Sequence, residues 1–236
     1  GGRRVDVGRR NEGEQQMSAM ISATRRRNLA LLALCCAPVT VWTLSVNDPM
    51  AYVRWDGLPP GQQWYLAAKL AGLLAFCLFW AQCVIALARH VPRLSTWLAS
   101  DLRWHRNLGI VTALLLLAHV VLFVVAASLR TGHVAWDLLL PDFTHGYYRS
   151  SVALGAAAFW LVCLTIFAGW RTMRGGRRWK LIHLLWPIVF GLVFWHAFAI
   201  GTESRYGAMR YVVLGLVVVV SLMAALRAWR ALRSRT

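Results

Sequence analysis

The sequence predicts an all-α integral membrane protein, a bundle of six transmembrane helices, and three observations carry that prediction. The 236 residues are 58% hydrophobic with a mean hydropathy of +0.52, too apolar for a single soluble domain. Six apolar runs approach or exceed the length of about 20 residues that a bilayer core demands. Clusters of arginine and lysine alternate with those runs, as membrane-orienting charges do.

The first run, 28–46, follows Arg25-Arg26-Arg27 and has the look of a signal peptide. It lacks a small-residue cleavage site and leads into five further spans, so it is expected to be retained. Residues 1–24 before it are polar and basic and are expected to be a disordered segment outside the fold, with Met17 or Met20 as candidate starts. The second run, 64–88, holds Lys69 near its outer end, where the long stem is expected to snorkel to the headgroups. Runs three, 104–128, and five, 180–200, each contain two histidines, and Pro187 in the fifth is expected to kink it. Runs four, 150–170, and six, 209–229, carry little intramembrane charge. Residues 25–230 thus form the six-helix domain and 231–236 a short cytoplasmic tail. Trp42, Trp64, Trp80, Trp104, Trp170 and Trp179 fall near span ends and are expected to be interfacial anchors.

A formal charge of +17 raises the question of nucleic acid. The bases sit in short clusters between apolar runs instead of interleaving with aromatics along one face, which excludes that partner and leaves the lipid bilayer. Arg25–Arg27, the 89–106 loop, the 171–180 loop and the tail together hold sixteen bases, while the alternate loops hold only Arg54, Arg130, Arg149, Arg205 and Arg210. That alternation predicts a multi-pass protein of a cell membrane, a bacterial inner membrane, with both termini in the cytoplasm. The five cysteines, Cys35, Cys36, Cys77, Cys83 and Cys163, lie in apolar segments without a C-x-x-C pair and are expected to be free thiols.

Four of the seven histidines lie in spans three and five: His105 and His119, then His183 and His196. Ionisable groups at membrane depth are costly and mark function. Their spacings of 14 and 13 residues separate each pair by roughly 21 and 20 Å along the helix axis. Because both spans run outward from the cytoplasm, His105 is expected level with His183, and His119 level with His196. Zinc would need three or four ligands converging on one point, which two separate layers do not supply. Two imidazoles facing across a gap suit the axial clamp of a heme iron and leave it no open position, which favours electron transfer. Gly109 and Gly191 in the same helices are candidates to leave room for a flat porphyrin. One angle resists this reading: at about 100° per residue, 13 residues leave His196 roughly 140° from His183 on a straight helix.

The runs Trp104-His105-Arg106-Asn107-Leu108-Gly109 through His119, and Trp179-Lys180-Leu181-Ile182-His183 through Trp195-His196, resemble the ferric reductase-like transmembrane domain over about residues 28–229. That superfamily includes ferric reductases, NADPH oxidases and the heme-binding subunit of a periplasmic methionine sulfoxide reductase system. The resemblance implies two b-type hemes between helices 3 and 5, the inner on His105 and His183, the outer on His119 and His196. It implies an oxidoreductase or a subunit of one, passing electrons from a cytoplasmic reduced flavin or flavoprotein to an outer acceptor: ferric iron, oxygen or a periplasmic protein. The sequence has no G-x-G-x-x-G fingerprint after a strand, so the flavin is expected on a separate reductase partner at the cytoplasmic face, or the chain is a fragment. Arg103 and Arg106 are expected to pair with the inner propionates through their guanidinium forks, and Arg149, Arg205 or Arg210 are the outer alternatives. His133 and His145, near Asp137 and Asp142, read as surface residues for want of ligand-like spacing. Two other functions compete with this one. A quinone-linked cytochrome b anchoring a dehydrogenase would use similar histidine layers. A non-redox transporter or scaffold would need more intramembrane charge than Lys69 supplies.

Overall fold

A computed structural model describes residues 2–45, 57–89, 102–172 and 179–233. Asp48, Arg54, Asp56, His90, Arg93, Arg174, Arg177, Arg178 and Arg235 lie outside the described residues. The described chain is helical: α1 Gly2–Ser45, α2 Gln62–Ala88, α3 Leu102–Thr131, α4 Gly146–Thr172, α5 Trp179–His183, α6 Trp186–Ile200, α7 Thr202–Arg205 and α8 Met209–Arg233, with a 3-10 turn at Trp136–Leu139. Six segments are long and apolar enough to cross a membrane: Thr24–Leu44, Gln62–Ala88, Trp104–Thr131, Gly146–Ala168, Leu181–Ile200 and Met209–Arg233. The chain is a multi-pass membrane protein. Helix α1 begins at Gly2, ahead of the first span. Extending a helix that the first span has already nucleated costs little per residue.

Helix α2 is the hub. Ala68, Ala71, Ala75, Ala81 and Ala88 of α2 are buried, and small side chains let transmembrane helices approach closely. Leu73, Phe76, Cys77 and Leu87 of α2 pack with Phe190 of α6 and with Met209, Val213, Leu216 and Val220 of α8. Leu78, Ala81 and Ile85 pack on Leu108 of α3. Two tryptophans pin neighbours to this hub: Trp42 Nε1 donates to the Leu66 carbonyl (3.0 Å) and Trp80 Nε1 to the Leu216 carbonyl (2.6 Å). Trp80, expected as an interfacial anchor, therefore ties α2 to α8 inside the bundle. Gly61 enters α2 with φ +79°, and a side chain there would strike the Ala126 backbone of α3. All five cysteines are free.

The pairing of helices sets up the site. Helix α3 packs along α2 and α6 packs along α4, whereas α3 and α6 make at most marginal backbone approach to each other. The bundle is thus two packed pairs with a gap between them. On their outer surfaces, Leu117 and Val121 of α3, Leu164 and Phe167 of α4, and Val218 and Leu222 of α8 are exposed, as a lipid-facing surface requires.

The fifth span is broken. It consists of α5, a turn at Leu184 and Leu185, and α6 with Pro187 in its first turn. The Leu184 and Leu185 amides bond three residues back, to Leu181 and Ile182, a tighter winding than the α-helix. Proline has no amide hydrogen, so the bond that residue 187 would return to the His183 carbonyl is missing.

Candidate functional site

The break allows the two halves of span five to be set separately. His183 meets His105 with ring centres 6.3 Å apart and planes at 81°. His196 meets His119 with ring centres 6.3 Å apart and planes at 76°. Both pairs of histidines are therefore brought together with their rings nearly perpendicular, and the 13-residue spacing is accommodated. Two metal–imidazole bonds of about 2.0–2.1 Å and two nitrogen-to-ring-centre distances of about 1.1 Å span about 6.3 Å. Each pair leaves the gap that one metal ion held from two opposite sides would need. Among the described residues, no three His, Cys, Asp or Glu groups converge as a metal cluster.

Both pairs line one cavity of about 1250 Å³ between the two helix pairs. Its walls are mostly apolar, from Phe76, Phe79, Leu116, Val120, Phe123, Phe159, Val162 and Val193. Gln82 enters from α2 and donates to the Thr112 hydroxyl (2.9 Å), which donates in turn to the Leu108 carbonyl (2.8 Å). That chain satisfies polar groups which would otherwise be costly at membrane depth.

The outer pair is held from behind. His119 Nδ1 lies 2.7 Å from the Ala68 carbonyl of α2 and His196 Nδ1 lies 2.8 Å from the Ser151 carbonyl of α4. A carbonyl oxygen only accepts, so both Nδ1 atoms carry the proton and donate. Nε2 then keeps the lone pair that a metal binds.

At the inner end, Arg89 and Arg106 line the cavity with His105 and His183. Arg106 was expected there; Arg89, at the end of α2, was not singled out from the sequence. Arg103 belongs to α3, but its side chain lies outside the described residues. Of the outer alternatives, Arg149 pairs with Asp137, Arg205 lies over the Tyr206 ring and donates to the Ala199 carbonyl (3.3 Å), and Arg210 lies over Phe198. None of the three lines the cavity. That place is taken by Lys69, which ion-pairs with buried Glu203 of α7. Lys69 does not snorkel, because Glu203 folds back from the end of span five and compensates its charge within the bundle. His145 bonds Asp142 and Thr144 (both 2.7 Å) on the exposed outer loop. The Thr144 hydroxyl and amide hold the Asp142 carboxyl down to about 2. His133 is exposed on the same loop.

Residues 71–194 match the family described as ferric reductase like transmembrane component. The chain belongs to this family. No curated protein and no solved structure shows significant similarity to it. The matched segment of this ferric reductase-like protein contains His105, His119 and His183 and stops two residues before His196. Membership places it broadly among oxidoreductase domains that move electrons across membranes.

Two glycines were missed in the sequence. A Cβ on Gly72 of α2 would lie 2.8 Å from His119 Nδ1, and one on Gly155 of α4 would lie 2.5 Å from His196 Nδ1. By contrast, a Cβ on Gly109 would meet only Gln82 Oε1, at 3.4 Å, and one on Gly191 would meet nothing within 4 Å. Room for the histidine rings thus comes from α2 and α4; Gly109, expected to leave room for a flat porphyrin, lines the cavity, and Gly191 does not.

Proposed function

We propose that this protein is a transmembrane electron conduit holding two b-type hemes, the inner between His105 and His183 and the outer between His119 and His196. The observation that carries it is the pair of 6.3 Å ring separations opening on one apolar cavity. Heme held by these histidines would supply reversible one-electron chemistry. The chain's part is to bind, orient and insulate. His119 and His196 present Nε2 because their Nδ1 protons are engaged. Phe76, Phe123 and Phe159 give the cavity apolar walls, which lower the local dielectric around a bound group. Arg89 and Arg106 bring positive charge to the inner end, where carboxylates of the cofactor would be matched, whereas the charge of Lys69 at the outer end is already compensated by Glu203, which lines the same cavity.

In this reading a cytoplasmic reduced flavin or flavoprotein donates at the inner end and an outer acceptor, such as ferric iron, oxygen or a periplasmic protein, is reduced at the other. The bacterial inner membrane is the proposed location, with both termini inside. Reporters fused after residue 236 should remain cytoplasmic and reporters near residue 140 should be exported. The reverse pattern would reverse the electron path.

Heme content tests the central claim. Detergent-purified protein should contain two low-spin hemes per chain, both extractable with acid and organic solvent because the sequence has no C-x-x-C-H attachment site. Protein without heme, or with heme retained covalently, would sink it.

A further inference from the structure

We infer that Gly72 and Gly155 are positioning residues for the outer cofactor: by leaving the Ala68 and Ser151 carbonyls uncovered, they set the orientation of both outer axial imidazoles. The inference rests on the two-heme reading and deepens it.

Two helices make the same arrangement independently. On α2 the acceptor is the carbonyl of residue 68 and the glycine is residue 72. On α4 the acceptor is the carbonyl of residue 151 and the glycine is residue 155. The offset of four has a physical cause. Within an α-helix the carbonyl of residue i already accepts from the amide of residue i+4, and its second lone pair is free for an outside donor. Side chains lean toward the helix N-terminus, so the Cβ of residue i+4 sits over the approach to that lone pair. Glycine at i+4 opens the approach. Alanine would set its methyl 2.8 Å from His119 Nδ1 and 3.0 Å from Cε1, or 2.5 and 2.6 Å from the same atoms of His196. Those contacts cannot stand beside Nδ1 bonds of 2.7 and 2.8 Å. The ring must tilt away and surrender its carbonyl.

Partners of this kind fix the tautomer, the ring plane and the basicity of a metal-binding histidine, and their loss typically costs about 10–100-fold in affinity. The angle between two axial ring planes also governs the low-spin ferric resonance of the iron between them. Gly72→Ala and Gly155→Ala should therefore act on one heme and spare the other.

The experiment compares the two variants with the parent and with Gly191→Ala, whose added methyl meets nothing. Each full-length protein is purified in detergent, and electron paramagnetic resonance, heme transfer to apomyoglobin and thermal unfolding are measured. The outer resonance is identified by its loss in His196→Ala. Both glycine variants should show a displaced outer resonance and an outer heme released about 10–100-fold faster, with the inner resonance matching Gly191→Ala and the unfolding temperature lowered no further than in His196→Ala, which lacks the outer heme altogether. An unmoved outer resonance, or equal changes at both hemes with a lowered unfolding temperature, would overturn the inference. Should an alanine variant not accumulate, it is combined with alanine at the histidine it strikes, His119 for Gly72 or His196 for Gly155. Membrane levels should return to those of the histidine variant alone if the clash is with the ring; continued loss would show a packing role and overturn the inference. A parent without heme defeats the functional proposal itself, whereas a two-heme parent with unaltered glycine variants defeats only this step.

Discussion

His183→Ala should abolish reduction of the protein from the cytoplasmic side, whereas His196→Ala should leave the inner heme reducible and stop its electron from leaving. The difference in kind follows from the two layers. His183 faces His105 and His196 faces His119, and 13–14 residues of helix separate the layers by roughly 20 Å. Without the inner layer, a donor at the cytoplasmic face must reach a heme about 20 Å further away. Without the outer layer, the chain loads and does not unload. The measurement is stopped-flow heme reduction by a soluble reduced flavin in proteoliposomes, with ferric chelate trapped on the far side. Because a bound cofactor stabilises the state it binds, membrane levels of both variants are checked first. Parental reduction of the trapped chelate by a well-folded His196→Ala protein would refute the relay.

Pro187→Ala should uncouple the two layers by repairing the helix. Alanine restores an amide able to bond the His183 carbonyl, and alanine is also the strongest helix former. A continuous span five would place its two histidines roughly 140° apart, so one pair can face α3 and the other cannot. The expected result is one heme per chain instead of two, a loss as large as that from removing a ligand, caused by a residue that touches neither iron. Two hemes with unchanged spectra in Pro187→Ala would mean that packing against α4, and not the proline, holds the break open.

Much of this protein was legible in the sequence because a bilayer imposes one-dimensional rules. Length and hydropathy delimit a span whatever lies beside it, which is why the six runs coincide with the six helices to within a few residues. Axial rise is equally local, so the levels of His105, His119, His183 and His196 could be matched from spacing alone. Rotation about the axis could not. It depends on whether the helix is continuous, and the turn at Leu184 and Leu185 decided it.

What remained hidden lies between helices. Lys69 reads as a snorkelling charge on its own span, and only the return of α7 brings Glu203 to it. Trp80 reads as an anchor until α8 offers the Leu216 carbonyl. Gly72 and Gly155 look like ordinary small residues of packed helices. Their meaning comes from histidines 47 and 41 positions away in the chain, and no periodicity within one helix encodes a neighbour's ring. The sequence by itself determined the solvent, the spans and the two levels of histidine; the tertiary structure decided which faces meet, because facing is a property of two helices and periodicity is a property of one.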